Sequence, residues 1–205
     1  MASEAALTPE AARSIAPDLF PPRKQITKAQ IETGINICLG IQRRAVTFGK
    51  RPFAACLLGP DNETVLLTHQ SIDQVNHAEV HISLLPPPPL PLLLTQKQSS
   101  LARLAYSHYS KAYLWQCTLI STWEPCAMCS STIYWAHIGR VVYAATNEQL
   151  AQLTGPGNKE NFTMKWHTRD ILLGQQKDVE IIGPVEGMDK IVVEESDLYW
   201  SKTRQ

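Results

Sequence analysis

The sequence lacks an excess of charge of either sign, since 19 Lys and Arg residues are balanced by 19 Asp and Glu residues. A protein that holds a long nucleic acid by its phosphates usually carries a basic excess, so the balance favours a small substrate. A long apolar run is missing too. The most apolar stretch, SLLPPPPLPLLL at residues 83–94, is too short to span a bilayer and contains prolines that break helices. We therefore expect no membrane association.

Signals for export and for disulfide bonding are also missing. The N-terminus has no basic start followed by an apolar run, so it does not resemble a secretory signal. The five cysteines are odd in number and are not spread like a disulfide framework. We expect a cytoplasmic protein, with the nucleus as the alternative, in which paired cysteines bind metal. Cys38, Cys56 and Cys117 lie in apolar segments, which predicts that they are buried.

Strand-like and helix-like segments alternate along the chain. Thr27 and Gln30 have the pattern of a capping box ahead of an apolar stripe, which predicts a helix. A further helix should follow Pro125, and the tail from residue 189 should form a closing helix. Short apolar runs predict five strands, at residues 53–59, 64–69, 112–122, 140–145 and 178–183. The turn PDNE should join the first two strands as a hairpin. This order predicts an α/β domain at residues 26–205, preceded by a flexible extension at residues 1–25.

Residues 81–98 interrupt the helix that should begin near His77. Their sequence is HISLLPPPPLPLLLTQKQ, and joining Val80 directly to residue 99 restores a helical apolar pattern. One interpretation is an exposed polyproline loop. The other is a retained intron read in frame, because Leu, Pro and Ser codons can form a pyrimidine tract bounded by GT and AG.

The pair Cys126 and Cys129 is predicted to lie at a helix N-terminus, where free N–H groups favour the thiolate that binds metal. Two thiolates leave a tetrahedral zinc incomplete, and His77 is the natural third ligand. Three protein ligands with one open position are typical of a catalytic zinc site. A closed structural site would need a fourth ligand, for which Cys117, His81 and His137 are candidates without the usual spacing. A thioredoxin-like redox pair is a further alternative.

Glu79 lies two residues after His77, a spacing too short for two ligands on one helix face. Its carboxylate can instead take a proton from a zinc-bound water and deliver it to a leaving amine. Phe53 and Trp135 are candidates to stack on a planar substrate, with core packing as the alternative.

His-x-Glu followed by Pro-Cys-x-x-Cys is the signature of zinc-dependent base deaminases, and the chain resembles this cytidine deaminase-like superfamily. The similarity covers residues 28–145: RPFAACLLG resembles the first strand, NHAEV the second helix, and STWEPCAMCSSTIYWAHIGRVVYAA the third strand, zinc helix and fourth strand. The segment EPCAMC…IYWA resembles guanine deaminases, and IGRVVYAA resembles both these and tRNA adenosine deaminases. In the family, the His and first Cys are about thirty residues apart. Here they are 49 apart, or 31 once the 18 residues of the inserted segment are set aside.

The resemblance implies a three-layer α/β/α sandwich around a mixed five-stranded sheet. It also implies Zn²⁺ bound by His77, Cys126 and Cys129, and Glu79 as the proton shuttle. The expected reaction is hydrolytic deamination of a nucleobase or nucleoside, of guanine or cytosine type, by a zinc-activated hydroxide that releases ammonia. Family members also hold the base edge with an Asn after the second strand, where this chain has Gln70 or Ser71.

Two alternatives remain open. The first is a tRNA adenosine deaminase, which would have a basic rim around its pocket. The second is a non-catalytic partner subunit that keeps zinc for structure, although the presence of Glu79 argues against it. The family also implies a homodimer.

Overall fold

The protein is built on a mixed five-stranded sheet, seen in a computed structural model that describes residues 8–71, 77, 101–162 and 164–204. The strands are β1 (Ala54–Leu58), β2 (Val65–Gln70), β3 (Thr118–Trp123), β4 (Arg140–Ala145) and β5 (Glu180–Ile182). Their spatial order is β2-β1-β3-β4-β5. β1 is antiparallel to both β2 and β3, whereas β3, β4 and β5 run parallel. The predicted hairpin and the predicted mixed sheet are confirmed.

Helices cover both faces of this sheet. They are α1 (Pro9–Ile15), α2 (Lys28–Thr47), α3 (Leu101–His108), α4 (Lys111–Gln116), α5 (Ala127–Trp135), α6 (Asn147–Thr154), α7 (Thr168–Ile171) and α8 (Met188–Trp200), with a 3-10 turn at Pro17–Leu19. Alternate strand residues point to opposite faces. Ile120 and Val142 pack with α2, α6 and α8, whereas Leu119 and Val141 pack with α3, α4 and α5. The α/β fold with helices on both faces is therefore confirmed.

The helix predicted after Thr27 is α2, and its capping box is present. The Thr27 hydroxyl accepts the Gln30 N–H at 3.2 Å, and the Gln30 side chain accepts the Thr27 N–H at 3.0 Å. Cys38, Cys56 and Cys117 are buried, as their apolar surroundings predict. Within the described residues, no helix has the length and apolar character of a membrane span.

The third strand begins later than predicted. Residues 112–116, assigned to this strand from their apolar pattern, belong to α4 instead, and β3 starts at Thr118. The reason is local, because the Ser110 hydroxyl caps the helix by accepting the Tyr113 N–H at 3.2 Å. A short apolar run fits a buried helix as well as a strand, and the cap decides between them.

The described part of the predicted extension, residues 8–25, packs against the domain. The Phe20 ring meets the Trp115 ring edge-on with centroids 4.9 Å apart. The Arg23 guanidinium lies 4.3 Å from the Trp115 ring centroid and donates to the Gly139 carbonyl oxygen at 2.5 Å. These contacts were not foreseen, because Trp115 was expected within a strand. The inserted segment at 81–98 and Glu79 lie outside the described residues.

Candidate active site

Three of the predicted metal ligands meet at one point. The Cys126 and Cys129 Sγ atoms are 3.5 Å apart, and His77 Nδ1 lies 3.5 Å from the first and 3.6 Å from the second. Tetrahedral zinc, with its usual bond lengths to sulfur and nitrogen, would separate two sulfurs by about 3.8 Å and a sulfur from a nitrogen by about 3.6 Å. The donor set thus fits zinc in both chemistry and spacing.

The two thiols are placed by the start of α5, which follows β3 after a short turn. Cys126 is the N-cap of α5 and Cys129 lies in its first turn. The Pro125 carbonyl oxygen accepts hydrogen bonds from the Ser130 hydroxyl at 3.1 Å and the Thr168 hydroxyl at 3.0 Å, which fixes the turn. Hydrogen bonding to the Cys129 thiol, and then to His77, lowers the pKa of Cys126 to about 4. Cys126 is therefore a thiolate at neutral pH, the form that binds metal.

Glu124, two residues before Cys126, ties this turn to two other helices. Its side chain is fully buried, with 0% exposed. The carboxylate accepts the backbone N–H of Asn147 at 3.1 Å and that of Thr168 at 2.9 Å. These groups belong to the first residues of α6 and α7, so one buried carboxylate joins the thiol turn to both helix N-termini. Such charge-assisted bonds are stronger than neutral ones.

His167 lies between two carboxylates. Its Nδ1 is 3.1 Å from Glu124 Oε2, and its Nε2 is 2.6 Å from Glu148 Oε1. The hydrogen bond to Glu124, together with the charges of Glu124 and Glu148, raises the pKa of His167 above its ordinary value. Although the three residues cluster like metal ligands, each ring nitrogen faces a different carboxylate and Glu124 is already engaged by N–H donors. We therefore interpret the cluster as an ion-pair network.

The ligand cluster borders a cavity of about 380 Å³ at the carboxyl ends of β3 and β4. Ligands of open α/β sheets bind at this edge. The lining residues come from the strand ends, the thiol turn, α6 and the segment before α7: Arg51, Phe53, Ser71, His77, Trp123, Glu124, Cys126, Met128, Asn147, Leu150, Glu160, Asn161, Phe162 and Met164.

The residues predicted to contact substrate are not all at this cavity. Phe53 lines it, and its ring is parallel to the His77 imidazole within 8°. Ser71 also lines the cavity, whereas Gln70 and Trp135 are absent from its described lining. Trp135 is the last residue of α5 and is 73% exposed. Of the two residues considered for the position of the family's Asn, Ser71 is the one that reaches the cavity.

The candidates for a fourth ligand lie elsewhere or cannot be placed. Cys117 precedes β3 and therefore lies at the opposite end of that strand from Cys126. His137 is buried, and its Nε2 is 2.9 Å from the Leu19 carbonyl oxygen, away from the thiols. His81 lies outside the described residues. Among the described residues the centre therefore has three protein donors.

Sequence reasoning missed Glu124, Asn147 and His167 as parts of this site. Glu124 stands inside the EPCAMC motif, and its position next to a metal-binding turn was an available signal. Asn147 follows β4 directly, so the parallel sheet places it beside Glu124. His167 lies in a segment with no recognisable pattern, and no signal in the sequence marks it.

Comparison with known proteins agrees with this geometry. Residues 98–145 match the family model described as the cytidine and deoxycytidylate deaminase zinc-binding region. This range contains both thiol ligands and begins at the last residue of the inserted segment. The match and the donor cluster bear out the predicted zinc cofactor.

Three known proteins are similar to most of this chain. A probable cytosine deaminase of Schizosaccharomyces pombe is 28% identical over 148 residues, 70% of this chain and 77% of that protein. The structure of a guanine deaminase from Nitrosomonas europaea superimposes with a TM-score of 0.55 at 16% identity, covering 98% of this chain and 97% of that one. RibD of Acinetobacter baumannii gives a TM-score of 0.51 at 14% identity, covering 86% of this chain and 40% of that one. At identities of 16% and 14%, the guanine deaminase and RibD structures show that this chain shares their fold.

Proposed function

We propose that this chain, which resembles the cytidine deaminase-like superfamily in its fold and its zinc-binding region, hydrolytically deaminates a nucleobase or nucleoside of guanine or cytosine type and releases ammonia. The observation that carries the proposal is the set of three donors, His77, Cys126 and Cys129, at the edge of a cavity with aromatic walls.

The donor set supports a catalytic role for the metal. Three protein donors leave one tetrahedral position for water or substrate, whereas structural zinc sites use four. Zinc, when bound there, lowers the pKa of a coordinated water towards neutrality. Cys126 supplies a thiolate at neutral pH without prior deprotonation by a base, because its pKa is about 4.

The cavity walls support a planar substrate. The Phe53 and His77 rings are parallel within 8°, and their centroids are 6.5 Å apart. Aromatic faces are suited to stacking on planar rings. Phe53 and His77 both line the cavity, and His77 would place a stacked heterocyclic base beside the metal ligands.

Glu79 is proposed as the group that moves the proton, although it lies outside the described residues. His77 is described and lines the cavity, and Glu79 follows it by two residues. A carboxylate there would hold a proton and deliver it to a ring nitrogen and to the leaving amine.

The test is ammonia release from guanine, guanosine, cytosine, cytidine, adenosine and a tRNA anticodon stem-loop, with zinc content measured alongside. We expect turnover of a guanine- or cytosine-type compound by protein that holds one zinc per chain. The Glu79→Gln variant should keep its zinc and lose turnover, whereas Glu194→Gln, an exposed carboxylate on α8, should change neither. Turnover of the stem-loop alone, or undiminished turnover by Glu79→Gln, would contradict the proposal.

We also propose that residues 81–98 are an insertion into the deaminase domain. The family match that begins only at residue 98 supports this. A variant lacking residues 81–98 should retain zinc and turn over substrate at least as fast as the full chain, and the transcript should include a spliced form without these codons. A deletion variant that loses zinc would overturn the proposal. The resemblance further implies a cytoplasmic homodimer, which sedimentation and imaging in cells would test.

A further inference from the structure

Asn147 is a buried residue in the cavity wall whose carboxamide has no hydrogen-bond partner among the described residues. The residue is only 5% exposed and lines the cavity next to Glu124 and Cys126. Its backbone N–H donates to Glu124 Oε2, but its side-chain amide makes no hydrogen bond to the part of the chain that the structure describes. Buried polar groups almost always have partners. A carboxamide in this position can find one in the molecule that fills the cavity.

The position of this amide is fixed by rigid elements. Asn147 is the first residue of α6, whose capping box joins Thr146 and Gln149 in both directions at 2.9 and 3.2 Å. Glu124 holds the same turn from the other side. Asn147 therefore stands on a helix start anchored to the turn that carries the thiols, where a specificity contact can be kept in register with the metal ligands.

A carboxamide offers one acceptor and two donors side by side. It pairs through two hydrogen bonds with a ring edge in which an N–H is next to a C=O. Guanine and guanosine have this lactam edge at N1 and O6, and free cytosine has it at N1 and O2. Away from its amine, adenosine offers only ring-nitrogen acceptors, and cytidine has lost the N1 hydrogen.

Building on the proposed function, we propose that Asn147 binds the lactam edge of the substrate and thereby selects guanine, guanosine or cytosine over adenosine and cytidine. The amine-bearing carbon would face the metal ligands, while the amide holds another edge of the same ring. A site built to hydrogen-bond a polar edge rejects analogues without it far more strongly than an apolar pocket can.

The test compares two variants of the zinc-loaded full chain. Asn147→Leu keeps the approximate size and removes every polar atom, and Asn147→Asp keeps an acceptor while removing both donors. The control is Gln152→Leu, at an exposed position on the same helix. Equilibrium dialysis measures binding of labelled guanine, cytosine and adenosine, and ammonia release measures kcat/KM.

We expect Asn147→Leu to weaken guanine or cytosine binding by about tenfold or more, with an intermediate loss for Asn147→Asp and none for Gln152→Leu. Adenosine binding should be weak in all forms. Unchanged guanine and cytosine binding by Asn147→Leu, in folded protein with one zinc per chain, would overturn the proposal. So would a wild-type chain that binds adenosine as tightly as guanine and cytosine, or that binds none of the three.

The two readouts separate this proposal from the proposed function. Binding that depends on Asn147, in a chain that releases ammonia from no substrate, would refute the deaminase activity and leave the recognition intact. Ammonia release that is insensitive to Asn147→Leu would refute the recognition and leave the activity intact.

Discussion

A buried charged side chain lies at each end of strands β3 and β4, but the surroundings of the two side chains differ. At the amino ends Arg140, with only 1% of its side chain exposed, donates to Glu180, Thr118, Asn62 and the Lys24 carbonyl oxygen. At the carboxyl ends the fully buried Glu124 accepts N–H groups from the starts of α6 and α7.

The difference lies in what surrounds each charge. The four bonds of Arg140 all end on protein oxygens, and Asn62 also donates to the backbone at Lys24 and Gln25. Glu124 is engaged by N–H donors but lies in the wall of the cavity, beside the thiolate of Cys126 and the amide of Asn147, which has no hydrogen-bond partner among the described residues. Polar groups that satisfy one another contribute to stability, whereas polar groups left facing a cavity are available to a ligand. We therefore infer that the amino-end cluster serves stability, whereas the carboxyl-end cluster borders the proposed site.

The largest expected effect is on zinc binding, when the cysteines near the two ends of β3 are each replaced by alanine. Cys126→Ala removes a metal ligand, so zinc should be lost and turnover should fall below detection, a larger effect than the roughly 10–100-fold loss for an outer-shell partner. Cys117→Ala removes a buried thiol at the other end of the strand and should leave zinc affinity unchanged. Zinc content and a competitive chelator titration measure both. Equal zinc loss in the two variants would contradict the division between the ends.

The sequence was most informative where chemistry is carried by short motifs. His77, Cys126 and Cys129 were chosen from residue type and spacing, and the fold brings their donor atoms within 3.6 Å of one another. The strand at residues 140–145 was foreseen because a continuous apolar run is typical of a buried parallel strand, and β5 (Glu180–Ile182) lies within the strand predicted at residues 178–183.

The sequence was least informative where a role depends on distant partners. Glu124 and Asn147 become neighbours only because β3 and β4 are parallel and end at the same edge of the sheet. From the sequence, Arg140 was only the charged first residue of a strand. Its hydrogen-bond partners could not be foreseen, because they lie 22 to 116 residues away along the chain. The helix at 111–116 was missed because a single cap at Ser110 outweighed the apolar pattern.

The next-largest expected effect is a loss of folding stability with zinc binding retained. Arg140→Met should lower the free energy of unfolding by about 3 kcal/mol, because it removes the hydrogen bonds of a buried guanidinium to Asn62, Thr118 and the Lys24 carbonyl oxygen and breaks its ion pair with Glu180. The folded fraction should still bind one zinc per chain. Urea unfolding measures the first quantity and metal analysis the second. A loss of zinc affinity with unchanged unfolding would reverse the roles assigned to the two ends.

The smallest effect is the pH dependence of the His167 bridge. Its carboxylate partners, Glu124 and Glu148, raise its pKa in the folded state, and Asp170 adds to the effect. A group whose pKa is raised by folding stabilises the protein fully below its unfolded pKa of about 6.5, and this contribution is lost as the pH rises through the folded pKa. His167→Gln should therefore cost more stability at about pH 6 than at about pH 9. Urea unfolding of both forms at each pH measures the difference.

Because the His167 side chain is 38% exposed, solvent screens the bridge and the effect should remain below that of Arg140→Met. A cost that is equal at both pH values, or larger at the alkaline one, would mean that His167 acts as a neutral donor to Glu124, and that the carboxyl-end cluster holds its buried carboxylate without a compensating positive charge.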